Sequence, residues 1–400
     1  EDLPGNIFEW LGRNYDKITP EQREKIFMDL EKMREEIDVI DDQLVDLFSQ
    51  RMAIAGRIAE YKKENGLPVL DADRERKKLN SISKAAGEEM QDYAAVLYSL
   101  LFEISRSYQN KVLGITNELP EKIECAVRDT APLFPERAVV ACQGVEGAYS
   151  QQACERLFRM PEVMYFRNFE SVFSAVESGL CRYGVIPLEN STAGSVNMIY
   201  DLMMEHDFRI VRSTRLKIDH CLMVPEDVQL ENVKEIFSHE QAISQCSEFL
   251  KSLDGVKITC CENTAAAAAQ VAADGRRDAA ALCSRSCAGL YGLKILKEAA
   301  QNQSNNYTRF ICISKKLEIY PGADRTSLMM VLPHRPGSLY KVLSRFYVLG
   351  INLNKLESRP IPEREFEFMF YFDLNTPVYS PQFIQLMGEL QTLSDEFSYL

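Results

Sequence analysis

Leu44-Val45-Asp46-Leu47-Phe48-Ser49-Gln50-Arg51-Met52-Ala53-Ile54-Ala55-Gly56-Arg57-Ile58 is the stretch on which the reading of this chain turns. Leu44, Leu47, Ile54 and Ile58 continue a series begun by Leu30, Met33, Ile37 and Ile40 and carried on to Tyr61, in alternating steps of three and four. That spacing predicts one long helix packed lengthwise against another. Between Leu47 and Ile54 the seam position falls on Arg51. A guanidinium in an apolar seam is costly unless it snorkels, is salt-bridged or meets an anion. Lys62 lies almost three whole turns beyond Arg51, so the two face the same way about 16 Å apart, and one small molecule could lie between them. Arg34 is about 25 Å away on the other side. On a straight helix it cannot reach the same small ligand, and as a site residue it would serve a second chain.

Outward from this helix, the 400 residues are 46% apolar and 26% charged, enough for two or three domains with proper cores. Forty-six basic against fifty-nine acidic residues leave a net charge of −13, which argues against a nucleic-acid partner. No apolar run is long enough to span a membrane. Glu1-Asp2-Leu3-Pro4 has neither the basic start nor the apolar core of a signal peptide, and with no initiator Met the chain reads as trimmed or processed. The eleven cysteines form no CxxC pair and none precedes Cys125, so reduced thiols in a cytoplasmic protein are expected. Cys283 and Cys287 have no accompanying histidine pair, and no metal or other cofactor is expected.

Three regimes follow one another. Residues 28–115 read as helix with Gly66-Leu67-Pro68 as the one strong break, preceded by an extra helix expected over residues 1–27. Residues 138–316 alternate short apolar runs with helical stretches, an α/β rhythm. Residues 326–400 follow strand, helix, strand, strand, helix and the start of a last strand, which would still be forming at Leu400 if a short tail is missing. Proline-containing linkers are expected at 116–137 and 317–325.

Met33-Arg34-Glu35-Glu36-Ile37-Asp38, Gln50-Arg51-Met52, Tyr61-Lys62-Lys63, Asp71-Ala72-Asp73-Arg74-Glu75-Arg76, Glu103-Ile104-Ser105 and Gln109 together resemble the all-helical chorismate mutases over residues 28–112. The resemblance implies a helix-swapped dimer binding chorismate through Arg51 and the partner copy's equivalent of Arg34. It also implies that Lys62 and Gln109 hydrogen-bond the ether oxygen and that Glu75 holds the ring hydroxyl. Asp71, Arg74 and Ser105 would complete the shell. The rearrangement to prephenate needs no nucleophile, metal or base, only a compact conformer and donors for the charge growing on the ether oxygen.

In the α/β part, Gln143-Gly144-Val145-Glu146-Gly147-Ala148-Tyr149-Ser150 follows a strand and opens a helix, but lacks the features of a dinucleotide fingerprint or P-loop. Glu189-Asn190-Ser191-Thr192-Ala193-Gly194, Ser238-His239-Glu240-Gln241, Gln245, Glu262-Asn263-Thr264 and Thr308-Arg309-Phe310 add polar side chains after apolar runs. Together they resemble prephenate dehydratase, which implies a cleft between two α/β lobes. Thr308 would assist departure of the ring hydroxyl as proton donor. Asn190, Ser238 and Gln245 would position the substrate, with Glu189 and Ser191 nearby. Arg309 would contact a carboxylate or form a structural ion pair, and His239 would be an acid or structural. Glu240 stands where the family more often has proline.

Pro336-Gly337-Ser338-Leu339 and Glu357-Ser358-Arg359-Pro360 resemble the paired signatures of the ACT regulatory domain, with a βαββαβ fold. That resemblance implies L-phenylalanine as effector and edge-to-edge pairing of copies, or a dimerisation module without a ligand. The whole is a multi-domain α plus α/β enzyme expected to turn chorismate through prephenate into phenylpyruvate. Arogenate as the dehydratase substrate and a catalytically inactive amino-acid-binding regulator are the alternatives.

Overall fold

The structure, a computed structural model, describes residues 19–113, 118–362 and 364–400. Most of the helix expected over residues 1–27 therefore lies outside the described residues. The chain divides into two compact units, residues 1–116 and 117–400.

In the first unit, helix α1 (Pro20–Glu64) packs against α2 (Ala72–Val112), Arg51 meeting Ser105 and Lys63 meeting Leu113, so the second half of α2 runs in the same direction as α1. Asp71 caps α2, its carboxylate accepting from the Arg74 backbone N–H at 3.0 Å. A second break interrupts α2 at Gly87, whose φ of 77° is non-helical. The periodicity missed this break because apolar spacing carries no record of one left-handed residue. The face of α1 that meets α2 is also not the leucine seam. It is the small-residue strip Met52, Ala55, Gly56 and Ala59, where a Cβ on Gly56 would stand 3.3 Å from the Tyr108 ring. The seam residues Met33, Ile37, Ile40, Leu44 and Leu47 are each more than half exposed within the chain.

The second unit holds three sheets. The first has the order β2 (Met160–Phe166), β1 (Arg137–Gln143), β3 (Tyr183–Asn190), β11 (Tyr307–Ser314), β5 (Arg209–Lys217), with the two-residue β4 (Gly194–Ser195) paired to β3. The second has the order β10 (Lys294–Lys297), β6 (His220–Val224), β9 (Ala279–Ser284), β7 (Glu235–Ser238), β8 (Lys257–Cys260). Chain order makes the second lobe an insertion, entered after β5 and left before β11. The third sheet has the order β13 (Asn352–Pro360), β14 (Phe368–Asn375), β12 (Thr326–Val331), β15 (Glu396–Tyr399). With its helices Ser338–Val348 and Pro381–Leu393 it forms a βαββαβ module. Its first helix starts at Ser338, behind a left-handed Gly337 with φ 84°, so Pro336 lies outside the helix and not just inside it.

This third sheet is buried on both faces. Met329, Val331, Met369 and Tyr371 join the core of the first lobe with Ile186, Leu188, Ile311 and Ile313. Their neighbours Leu328, Met330, Phe372 and Leu374 join the core formed with the two helices. The two segments read as separate domains thus share a core, which explains why β12 is apolar without alternation. The expected linker at 116–137 also contains structure: helix α3 (Glu118–Asp129) buries Ile123 in the helix-side core of the βαββαβ module. Thr130 Oγ1 accepts from the Ile319 N–H at 3.0 Å, tying the first linker to the second.

Ile123 is fully buried, so Ile123→Ala should destabilise the second unit by about 2–5 kcal/mol. Calorimetry of the whole chain should show the transition of the second unit moving to lower temperature. An unchanged transition would mean that α3 does not belong to this core.

Candidate active sites

In the helical unit, Arg51 Nη1 donates to Ser105 Oγ and, at 3.2 Å, to the Leu101 carbonyl. Its guanidinium lies over the Phe102 ring, 5.7 Å from the centroid. Gln109 Nε2 donates to the Ser105 carbonyl at 3.2 Å, leaving its buried Oε1 without a partner. Arg51, Ser105 and Gln109 are therefore brought together by three successive turns of α2 around one residue of α1. Lys62 Nζ donates to the Val69 carbonyl at 2.6 Å. Glu75 is paired, across the Gly87 break of α2, with Arg106, a residue that sequence reasoning passed over because its only signal was opposite charge at a distant position. Asp71 serves as the helix cap described above, and Arg74 is exposed. Arg34 is also exposed, paired with Glu31 one turn away.

The second site is a cleft of about 280 Å³ between the two α/β lobes. Its wall begins at the end of β3. Pro187 lies in a central strand, where it can give no N–H to the ladder. The β11 register shifts there: Phe310 pairs with Pro187 and Arg309 with Glu189, leaving Leu188 as an extra residue. This bulge inverts the strand's alternation. Tyr183 and Val185 point to one side and Ile186 and Leu188 to the other, in separate cores. Beyond the bulge it is Asn190, not Glu189, that shares the Pro187 side and lines the cleft with Thr308.

Each amide in this wall has a defined orientation. Asn190 Oδ1 accepts from the backbone N–H groups of Thr192 and Ala193 at 3.0 and 2.9 Å. Its Nδ2 must then be the donor, to Asn306 Oδ1 at 2.7 Å and to Thr308 Oγ1 at 2.9 Å. Asn306, almost wholly buried, passes the polarity on, its Nδ2 donating to Gln245 Oε1 at 2.9 Å. Gln245 Nε2 faces Thr192 Oγ1 at 3.2 Å. Thr308 Oγ1 thus accepts from Asn190 and keeps its own hydrogen to give. Asn306 and Thr192 were missed as site residues, although Thr192 lies inside a stretch quoted from the sequence and Asn306 two residues before another.

Four expected cleft residues lie elsewhere. Ser238 is fully buried and its hydroxyl donates to the Leu282 carbonyl at 2.6 Å, bracing β7 against β9. Ser191 Oγ donates to the Asn305 carbonyl and accepts from the Tyr307 N–H, at 2.8 and 2.9 Å. Glu189 and Arg309 face the βαββαβ module. Arg309 is buried in an ion pair with Asp373, also buried, and lies 3.4 Å from Glu189; this is the structural of the two alternatives. Lys355 joins them, 3.0 Å from Glu189. Burial raises the Glu189 carboxyl, but the hydrogen bond and charge of Lys355, with Arg309, outweigh it and leave the group below its ordinary range. His239 caps the helix Glu240–Gln245, its Nδ1 accepting from the Gln241 N–H at 3.3 Å, so Glu240 occupies an ordinary first-turn position. Of the residues marked for an effector, Arg359 forms a two-bond pair with Asp201, both bonds 2.9 Å, and Glu357 accepts from Ser195 Oγ. Pro336, Gly337, Ser358 and Pro360 are exposed, with Ser338 and Leu339 partly so.

A pair of helices holding guanidinium, ammonium and amide groups, and a cleft between α/β lobes walled by amide and hydroxyl donors with Glu262 at its lining paired to Arg167, define an enzyme with two sites for small oxygen-rich substrates. Residues 33–110 match the family model for chorismate mutase type II and residues 140–318 that for prephenate dehydratase. The bifunctional chorismate mutase/prephenate dehydratase of Enterobacter agglomerans is 31% identical over 92% of this chain and 94% of its own length. Arogenate dehydratase 2 of Petunia hybrida is 34% identical over 69% of this chain and 74% of its own length. The structure of prephenate dehydratase from Arthrobacter aurescens in complex with L-Phe shares a TM-score of 0.60 at 26% identity, covering 66% of this chain and 88% of that one. The chain belongs to the bifunctional chorismate mutase/prephenate dehydratases and carries both activities, an isomerase and a lyase.

Removing Arg309 leaves buried Asp373 with Arg325, 3.5 Å away, as its remaining cation, so Arg309→Met should cost up to about 3–5 kcal/mol, and adding Asp373→Asn should recover much of it. Thermal unfolding of the single and double variants tests this; a neutral single variant would show the pair to be dispensable. Because the Glu189 carboxyl is depressed on folding, its contribution is complete above its unfolded value of about 4.3 and is lost as pH falls through the lower folded value. Acid unfolding of Glu189→Gln should accordingly be less steep than that of the parent below about pH 4.

Proposed function

We propose that the two reactions run at the two sites just described and that the C-terminal βαββαβ module, an ACT domain, senses L-phenylalanine. In the helical unit Arg51, with Arg34 of a second copy, holds the chorismate carboxylates. Lys62 and Gln109 donate to the ether oxygen as charge develops there, and Glu75, Arg74, Ser105 and Asp71 shape the surroundings. The exposed seam Met33 to Leu47 supports a helix-swapped dimer in which the second copy covers it and presents Arg34.

In the cleft, the observation that carries the reading is the bond from Asn190 Nδ2 to Thr308 Oγ1. With its oxygen already accepting, the Thr308 hydroxyl offers its hydrogen to the departing ring hydroxyl, which leaves as water while the carboxylate leaves as carbon dioxide. Aromatisation supplies the driving force, and Gln245 orients the substrate. Threonine is too weak an acid to release a free proton, so its part is a hydrogen bond or relay timed with bond breaking. No metal, nucleotide or other cofactor has a part in either step.

The start of helix Ser338–Val348 offers backbone amides to an α-carboxylate, and the edge strand β13 is open to a second copy. The unpaired cysteines suit work in the cytoplasm. Prephenate is the expected substrate; arogenate, which differs by an amine, is the alternative favoured by the Petunia relative.

Arg51→Ala should abolish prephenate formation and spare the dehydratase, and Thr308→Ala should do the reverse. Equal loss of both activities in either variant sinks the assignment of one site to each unit. Turnover of chorismate with prephenate and phenylpyruvate quantified separately should show L-phenylalanine suppressing the second product. Prephenate accumulating without phenylpyruvate would turn the reading to arogenate.

A further inference from the structure

His220 lies where the chain first crosses into the second lobe, at the start of β6, and lines the cleft while almost wholly buried. Its backbone is fixed on both sides: its N–H donates to Gln301 Oε1 at 2.9 Å and its carbonyl accepts from the Ala300 N–H at 2.8 Å. The Tyr149 ring stands edge-on to the imidazole, 5.9 Å between centroids, and is itself held by a 2.7 Å bond from its hydroxyl to the Asp219 carbonyl. Nε2 lies 3.0 Å from Gln245 Oε1, and Nδ1 is buried without a partner.

The amide network leaves one arrangement for these atoms. Gln245 Oε1 already accepts from Asn306 Nδ2, whose polarity is set through Asn190 by two backbone N–H groups. The atom facing His220 is therefore an acceptor, and Nε2 must carry the hydrogen, leaving Nδ1 as the bare nitrogen. With its oxygen held by two donors, Gln245 has only its amino group, 3.2 Å from Thr192 Oγ1 and 3.4 Å from Asn190 Oδ1, left to give hydrogens in the cleft wall. The other tautomer would set a lone pair against Oε1 and favour a flipped amide, presenting oxygen to a substrate that carries carboxylates.

We infer that His220 is a positioning residue for the dehydratase reaction: its Nε2–H locks the Gln245 amide so that donors, not an acceptor, face the carboxylate-bearing substrate. Burial works against the imidazolium, lowering the His220 pKa against the smaller opposing pull of Gln245 and of Asp219, and so favours the neutral form that this arrangement uses. The inference rests on assigning the dehydratase to this cleft.

A double-mutant cycle on the full chain tests it, with prephenate as substrate and the calorimetric transition of the second unit as the check on folding. His220→Phe keeps the ring and drops the donor, and should lower kcat on the order of tenfold to a hundredfold, as for a lost buried hydrogen bond. In the Gln245→Met background the same change should do almost nothing, because the amide it locks is gone. His220→Gln, which places an amide N–H near the position of Nε2, should recover more activity than the shorter His220→Asn. Effects that multiply across the cycle, or Asn outperforming Gln, overturn the inference. Should His220→Phe fail to fold, the order of Gln and Asn decides alone. Full activity in both Thr308→Ala and Gln245→Met would instead remove the cleft assignment and this inference with it.

Discussion

Pro187 sits in the middle of the first sheet, and the ladder accommodates it by leaving Leu188 unmatched opposite β11. Had the strand kept its alternation, Glu189 would stand on the cleft side beside Pro187 and Asn190 would face the βαββαβ module. A carboxylate would then meet a substrate that already carries carboxylates, and the Asn190 carbonyl oxygen could not accept from the turn that orients it. One unmatched residue therefore places neutral donors in the cleft and charges at the module junction. It also makes the two sets consecutive: Asn190 pairs with Thr308 and Glu189 with Arg309 along one ladder.

If the βαββαβ module binds an effector, as proposed above, that ladder is a short mechanical path from it to the cleft. Asp373, which grips Arg309, belongs to the central strand pair of the βαββαβ module, and Lys355 and Glu357 belong to its edge strand. Arg359, two residues further along that edge strand, grips Asp201 on the helix Asn197–Glu205. Any displacement of β13 pulls on Glu189 and Ser195, on either side of the turn that fixes Asn190. A sheet that also shares its apolar core with the first lobe cannot shift freely, because packed cores resist small deformations. On this view an effector biases the two faces of one ladder together, with no separate messenger element.

What was legible in the sequence follows from what period and chemistry encode. The heptad spacing identified α1, the βαββαβ order of the last module was plain, and the grouping of Asn190, Gln245 and Thr308 came from their motifs. Periodicity could not say which face packs within the chain. The strip Met52–Ala55–Gly56–Ala59 is too poor in large apolar groups to stand out beside a leucine seam, yet its small side chains are what allow Tyr108 to approach. Glu189 was expected near the substrate, and the bulge that turns it away leaves no mark except a proline in an unlikely place, while Arg309 took the structural of the two roles left open for it. Ser238 was misplaced for a related reason: a hydroxyl at a strand end can serve a neighbouring carbonyl as readily as a ligand. His220 carried no signal, being one histidine at the head of an apolar run.

The two sites also differ in how they meet carboxylates, and the difference suits their reactions. In the rearrangement both carboxylates persist from substrate to product, so fixed cations such as Arg51, in the role proposed for it, would stabilise ground and transition states alike while donors at the ether oxygen would lower the barrier. In the dehydration one carboxylate becomes neutral carbon dioxide. A guanidinium gripping that group would favour the substrate over the transition state, and its attraction would have to be overcome as the charge moves into the ring. Among the described residues lining the cleft there is no lysine or arginine; Asn190, Gln245 and Thr308 supply neutral donors instead. Arg309, the nearest guanidinium along the ladder, is turned to the other face and held by Asp373. Keeping that charge out of the cleft is as much a part of the site's design as the donors within it.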